Sequence, residues 1–259
     1  KALKDTIRQI LLKIENNGKI FSGWQIQPEK TTVQGELERA LKTIVGEFVR
    51  VKGCSRTDAG VHARSQLATI KLNSEHVPFK IQKGLNALTP ESLSVVDAVE
   101  VDPEFHLRKE VAGKRYVYQI HSGKFPPALE KNYFWWLKQI PDLKLMHQAS
   151  RILIGQKDFS GFRSRNCCSP NTIKTITSIE FTSYTYQNAQ RIQISVTGDG
   201  FLKNMVRIIV GSLVNVGTGK LNMNALEEAL LTKQRKLIGM TAPAHGLVLD
   251  HVFTRQKIF

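Results

Sequence analysis

The sequence predicts an α+β protein made of two halves of similar make-up. Three observations predict it. Runs with apolar residues at every second position alternate with runs at helical spacing. Gly, Asn and capping residues punctuate them at the expected places. A chain of 259 residues is long enough for one large domain or two small ones, each with a core.

In the first half, residues 1–110, Ile10, Leu12 and Ile14 alternate with more polar neighbours and form a strand ending at the turn Asn16, Asn17, Gly18. A helix follows: Thr31 and Gln34 fit a capping box, Val33, Leu37, Leu41, Ile44 and Val45 share a face, and Gly46 ends it. Strands at Gln66 to Leu72 and Leu93 to Val101 bracket a second helix with Ile81, Leu85 and Leu88 on one side. The result is a compact βαβαβ-type unit. The second half, residues 111–259, opens with a strand at Arg115 to Ile120. Asp142 caps a helix with Leu145, Ala149 and Leu153 inward and Gly155 as its stop. Strands at Ile176 to Tyr186 and Arg191 to Thr197 follow, Ile192, Ile194 and Val196 sharing a face. Phe201 to Val216 is apolar nearly all round and predicts a buried helix. A helix at Met223 to Leu231 and a strand near Leu247 to Phe253 close the chain.

Composition narrows the function. A net charge of +15 and a pI near 9.8 call for an anionic partner, nucleic acid or an acidic membrane surface. No run approaches the roughly 18 apolar residues of a spanning helix. The polar start, Lys1 to Arg8, does not resemble a signal peptide, so a cytoplasmic protein is expected. Cys54, Cys167 and Cys168 lack zinc-site spacing and read as reduced thiols, and the seven histidines are scattered, so no metal is expected.

Residues 53 to 63, GCSRTDAGVHA, form the most informative run. Asp58 follows Arg56 in a short polar turn flanked by Gly53 and Gly60. Beside a cation its carboxylate would stay ionised below the usual value near 3.9, which suits a nucleophile or a base. The same residues also describe an ordinary turn, with Asp58 as a cap and both glycines supplying positive φ.

This run resembles the signature loop of the TruA family of tRNA pseudouridine synthases. Further segments resemble that family in the same order: FSGWQIQP (21–28) with TVQGELERAL (32–41), LNALTP (85–90), FHLR (105–108), KRYVY (114–118), DFSGF (158–162), GFLKNMVRIIVG (200–211) and TAPAHGL (241–247). The resemblance implies the pseudouridine synthase fold. In it, two halves like an RRM or ferredoxin fold are joined by one extended mixed, mostly antiparallel sheet, with helices on one side and a basic cleft on the other. It implies an isomerase that needs no cofactor and converts uridines 38 to 40 of the tRNA anticodon arm.

The resemblance makes Asp58 the essential catalyst, attacking ribose or base or abstracting a ribose proton to give a glycal. It makes Tyr116 the active-site tyrosine, stacking on uracil and relaying a proton. It sets Arg207 against Asp58, as the carboxylate partner that a cation on an apolar helix requires. Leu247 becomes an apolar wall over the uracil, and Arg56 a residue that reaches the RNA or helps extrude the base. Basic clusters at Arg108 and Lys109, Lys114 and Arg115, Arg163 and Arg165, and Lys233 to Lys236 are expected to bind phosphates. Bacterial members of the family are homodimers, so a dimer is expected. Two departures stand out: Asn16, Asn17, Gly18 where the family usually has Tyr, Asp, Gly, and Leu237, Ile238, Gly239 where an Ala, Gly pair is commoner. A noncatalytic RNA-binding protein on the same scaffold is the alternative reading.

Overall fold

A computed structural model describes residues 7–73 and 75–259, so residues 1–6 of the polar start lie outside it. The chain divides into two compact units, Lys1–Ala112 with Leu249–Phe259, and Gly113–Val248. Both mix helices with mostly antiparallel strands, the expected α+β class. Among the described residues the order runs β1 (Arg8–Asn16), α1 (Val33–Val45), β2 (Lys52–Gly53), β3 (His62–Leu72), α2 (Pro78–Leu88), β4 (Leu93–Val101) and α3 (Leu107–Glu110). It continues with β5 (Val111–Ser122), β6 (Trp135–Leu137), α4 (Leu143–Arg151), β7 (Gly155–Asp158), β8 (Ile173–Tyr186) and β9 (Ala189–Gly198). Helices α5 (Met205–Gly217) and α6 (Asn224–Thr232) precede β10 (Leu247–Thr254), and short 3-10 turns fill several connections.

In the first unit β1 is central, antiparallel to β4 on one side and β3 on the other, and β2 pairs antiparallel with β3. This is a split β-α-β-β-α-β arrangement. The expected βαβαβ pattern omits β2, because a two-residue strand has no period of its own. Residues 249–254 of β10 continue the order beyond β3, where Arg64 Nη1 meets Asp250 Oδ1 at 3.0 Å. Alternation on β1 and β3 sends Ile10, Leu12, Ile14, Ala68, Ile70 and Leu72 to one face, onto Val33, Leu37 and Leu41 of α1 and Ile81 and Leu85 of α2. Each Val, Leu or Ile among them contributes about 1.5–3 kcal/mol on burial.

Helix α1 is capped by Thr32, not Thr31: its hydroxyl oxygen accepts from the Gly35 amide at 3.2 Å. Gly46 closes the helix at φ 81°, a left-handed conformation that favours glycine. Gln34 has another task than capping. It donates to Glu38 Oε1 at 2.9 Å and to the Val51 carbonyl at 3.1 Å, while Glu38 accepts from the Val51 amide at 3.0 Å. Glu38 is thus a buried carboxylate that ties α1 to the strand entering β2. Leu88, expected inward, is 37% exposed because α2 ends there. At the first departure from the family pattern, Asn17 Oδ1 accepts from the Lys19 amide at 3.1 Å.

In the second unit β5, β9, β8 and β7 pair antiparallel in that order, and β6 lies parallel to β5. Tyr118 and Ile120 of β5, and Ile192, Ile194 and Val196 of β9, are fully buried, as are Ile208, Ile209, Val210 and Leu213 of α5. Helix α5 starts at Met205 rather than Phe201, because Asn204 takes a left-handed conformation at φ 63°. Asp142 caps α4 as expected, accepting from the Lys144 and Leu145 amides. That helix, however, buries Met146 and Ala149 and leaves Leu145 37% exposed. Arg191 of β9 is 2% exposed, ion-paired to Glu130 at 2.5 Å, and its guanidinium carbon lies 3.9 Å from the Phe134 ring centre and 4.6 Å from that of Tyr186. Lys233, in a cluster expected to bind phosphates, pairs with Asp158 at 2.8 Å.

Two outcomes test these ties. Glu38→Ala strands the Val51 amide and the Gln34 side chain, and should lower unfolding stability by about 2–3 kcal/mol in urea titration, with Glu38→Gln losing less. Asp158 is held well below the usual carboxylate range, first by Lys233, then by the Ser160 hydroxyl. A lowered folded value means its stabilisation is present above the unfolded value near about 3.9 and is lost as pH falls toward the folded one. The stability gap between wild type and Asp158→Asn should therefore shrink as urea titrations move from about pH 5 to about pH 2.

Candidate active site

The loop carrying Asp58 joins β2 to β3, and backbone hydrogen bonds hold it on both sides of the aspartate. The Trp24 amide donates to the Thr57 carbonyl at 3.1 Å and the Gly60 amide to the Phe21 carbonyl at 3.2 Å. Val61 N–H closes a turn on the Asp58 carbonyl at 3.1 Å, with Gly60 at φ 79° in the position that requires glycine. Gly23 lies so close that a Cβ there would sit 2.6 Å from the Thr57 carbonyl oxygen. At the base of the loop Gln66 Nε2 donates to the Ser55 carbonyl at 2.8 Å, and the Gly18 amide donates to His62 Nδ1 at 2.9 Å. Asp58 is half-buried on this frame, while Ser55 and Thr57 turn inward.

Two local expectations change. Gly53 does not supply a positive φ; it is glycine because a Cβ would strike the Trp24 indole at 2.5 Å. Arg56 is exposed and forms no ion pair among the described residues, so it is not the local partner of Asp58. It lines a basic cavity of the first unit instead.

The second unit builds its own clamp around residues 241–247. Arg207, in the first turn of α5, donates from Nε to the Ala242 carbonyl at 2.7 Å and from Nη1 to Asn204 Oδ1 at 2.8 Å, and its carbonyl accepts from the Ala242 amide at 3.0 Å. Tyr118 donates its hydroxyl to the Pro243 carbonyl at 2.7 Å. Burial pushes that phenol far above its ordinary value and the charge of Arg207 offsets only part of it, so Tyr118 remains a neutral donor. Gly246 packs on the Tyr118 ring, where a Cβ would lie 2.7 Å away, and Leu247 beside it is 4% exposed. Helix α5 passes so close to this segment that a Cβ on Gly211 would overlap the Met240 carbonyl at 1.9 Å.

Tyr116 of β5 is 7% exposed and meets the Phe201 ring edge-on at 5.3 Å. Arg163 donates to the Ser169 carbonyl at 3.2 Å, Arg165 is exposed, and Lys114 is half-buried. Within the second unit Arg207 thus holds Ala242 near the start of residues 241–247, and the buried Leu247 lies at their end. Sequence reasoning missed Tyr118 and Asn204. The signal for Tyr118 was present: two tyrosines at i and i+2 on one strand share a face.

A family model described as tRNA pseudouridine synthase matches residues 149–253. Over 247 residues the chain is 38% identical to tRNA pseudouridine synthase A of Acetivibrio thermocellus, covering 95% of this chain and 100% of that protein. It is 37% identical over 247 residues to tRNA pseudouridine synthase A 2 of Clostridium perfringens, with the same coverage. With tRNA pseudouridine synthase A of Geotalea uraniireducens it shares 38% identity over 248 residues, 95% of this chain and 100% of that one. The chain is therefore of the tRNA pseudouridine synthase class. Within that class it belongs to the TruA family.

Tyr118→Phe should leave the Pro243 carbonyl without its 2.7 Å donor, lowering stability by about 1–2 kcal/mol. Thermal unfolding compared with Tyr116→Phe measures the difference.

Proposed function

We propose that this chain isomerises uridine to pseudouridine at positions 38, 39 and 40 in the anticodon stem-loop of tRNAs. Membership of the TruA family carries the reading, and the loop GCSRTDAGVHA with Asp58 on a backbone-fixed turn supports it. The reaction breaks the bond between N1 and C1′, turns the uracil, and joins C5 to C1′. The C5 proton leaves and N1 gains one, so no oxidant or phosphate is consumed.

Asp58 acts in this reading as an anionic nucleophile or base. Its rigid turn keeps the carboxylate in place with little reorganisation, which is the condition for effective positioning. Tyr116 stacks on the uracil and relays the proton. Arg207 keeps Asp58 charged, and Leu247 walls the pocket so that the free base does not escape. Arg56, Lys114, Arg163 and Arg165 bind the RNA. The enzyme works in the cytoplasm as a homodimer and without a cofactor.

Asp58→Asn and Asp58→Ala should reduce turnover by at least about a thousandfold and leave tRNA affinity within about tenfold, read by tritium release from C5 of labelled uridine alongside filter binding. Full activity in either variant would sink the proposal. Mapping pseudouridine at positions 38 to 40 in tRNA from cells with and without the gene tests the substrate assignment, and light scattering tests the dimer.

A further inference from the structure

A second feature of the first unit is its basic cavity, about 830 Å³ in volume. Lys52, Arg56, Lys71, Arg108 and Lys109 line it, and no aspartate or glutamate does. Lys52, Arg56, Arg108 and Lys109 are exposed and carry no ion pair among the described residues. Like charges gathered around one concavity repel one another, and an anion relieves that repulsion.

The cavity also has an aromatic wall. Phe48 lines it at 59% exposure, with the Arg50 guanidinium carbon 5.0 Å from its ring centre. Arg50 is itself held by Glu38 at 3.4 Å. A flat ring beside unpaired cations suits a nucleotide, which stacks its base and presents a phosphate. At the floor, Gln9 donates to the Phe105 carbonyl at 2.8 Å, while its buried Oε1 has no partner among the described residues. That acceptor is complementary to an O–H or N–H donor. Arg56 belongs both to the lining and to the loop of Asp58, so the cavity and that loop share a residue.

We propose that this cavity binds a nucleotide of the tRNA neighbouring the uridine to be isomerised, with its base against Phe48 and its phosphate against Lys52 and Lys109. The inference rests on the reading of Asp58 as the residue that acts on that uridine. It assigns the neighbouring contact to side chains outside the chemistry, so the loss should fall on binding and not on turnover.

The test uses the full chain, an anticodon stem-loop RNA, and the same RNA made abasic at the nucleotide before or after the target. Lys52→Ala/Lys109→Ala should weaken RNA binding about tenfold and reduce the slope of log K against log salt by about one to two. Phe48→Ala should raise KM about tenfold with kcat within about twofold, and Phe48→Tyr should restore KM. One of the two abasic RNAs should cost wild type a similar factor and cost Phe48→Ala nothing further. Unchanged salt slope in the double variant, or abasic losses equal in wild type and Phe48→Ala, would overturn the proposal. Failure of the function itself looks different: wild type would then make no pseudouridine, while the binding measurements would still report on the cavity.

Discussion

The hydrogen bond from the Trp24 amide to the Thr57 carbonyl is the constraint on which the placing of the Asp58 loop depends. A side-chain contact would place one atom; a backbone bond on each side of Asp58, to Thr57 and Gly60, places the chain that carries it. The close approach of Gly23 and Gly53 follows from the same contact, since neither site tolerates a Cβ against Thr57 or the Trp24 indole. The FSGWQ stretch and the GCSRTDAGVHA loop are therefore one device written in two pieces of sequence. Backbone bonds of this kind fix where the carboxylate is carried, so a charge on Asp58 would not have to be moved into place.

The second unit solves a like problem with side chains. Arg207 and Tyr118 grip neighbouring carbonyls of Ala242 and Pro243, and Gly246 lies flat on the tyrosine ring. The arrangement also settles how a cation survives on an apolar helix. It sits in the first turn, where Asn204 and Ala242 offer neutral oxygens, rather than in the fully buried middle of α5. Desolvating a guanidinium is costly unless its N–H groups are matched, and two of them are matched here before any carboxylate is considered.

Much of the fold was legible in the sequence because burial follows period. The alternation of Ile10, Leu12 and Ile14 and of Ile192, Ile194 and Val196 names buried faces correctly. The misses lie where a period cannot speak. Strand β2 is two residues long, and its pairing with Thr69 and Ala68 comes from the fold of the loop around it. The capping-box spacing points to Thr31 through Gln34, whereas the hydroxyl that reaches the Gly35 amide is that of Thr32. Leu88 lies where α2 ends, and α4 buries Met146 rather than Leu145. The motif residues were found through resemblance, since a loop aspartate looks the same whether it caps or reacts. Lys233 was expected in a phosphate-binding cluster and Arg191 only at the start of a strand, because nothing in sequence announces an Asp158 or a Phe134 far along the chain.

The discontinuity of the first unit has a consequence for how the protein is made. Its last strand belongs to residues 249–254, while the β3 edge it lies against is translated long before. At about 5–20 residues per second, that edge waits roughly ten seconds or more for its cover while the whole of the second unit emerges. An uncovered strand edge is a template for pairing with other chains. Arg64 puts a charge on that edge, the kind of residue that blunts an open strand, and in the finished sheet it pairs with Asp250.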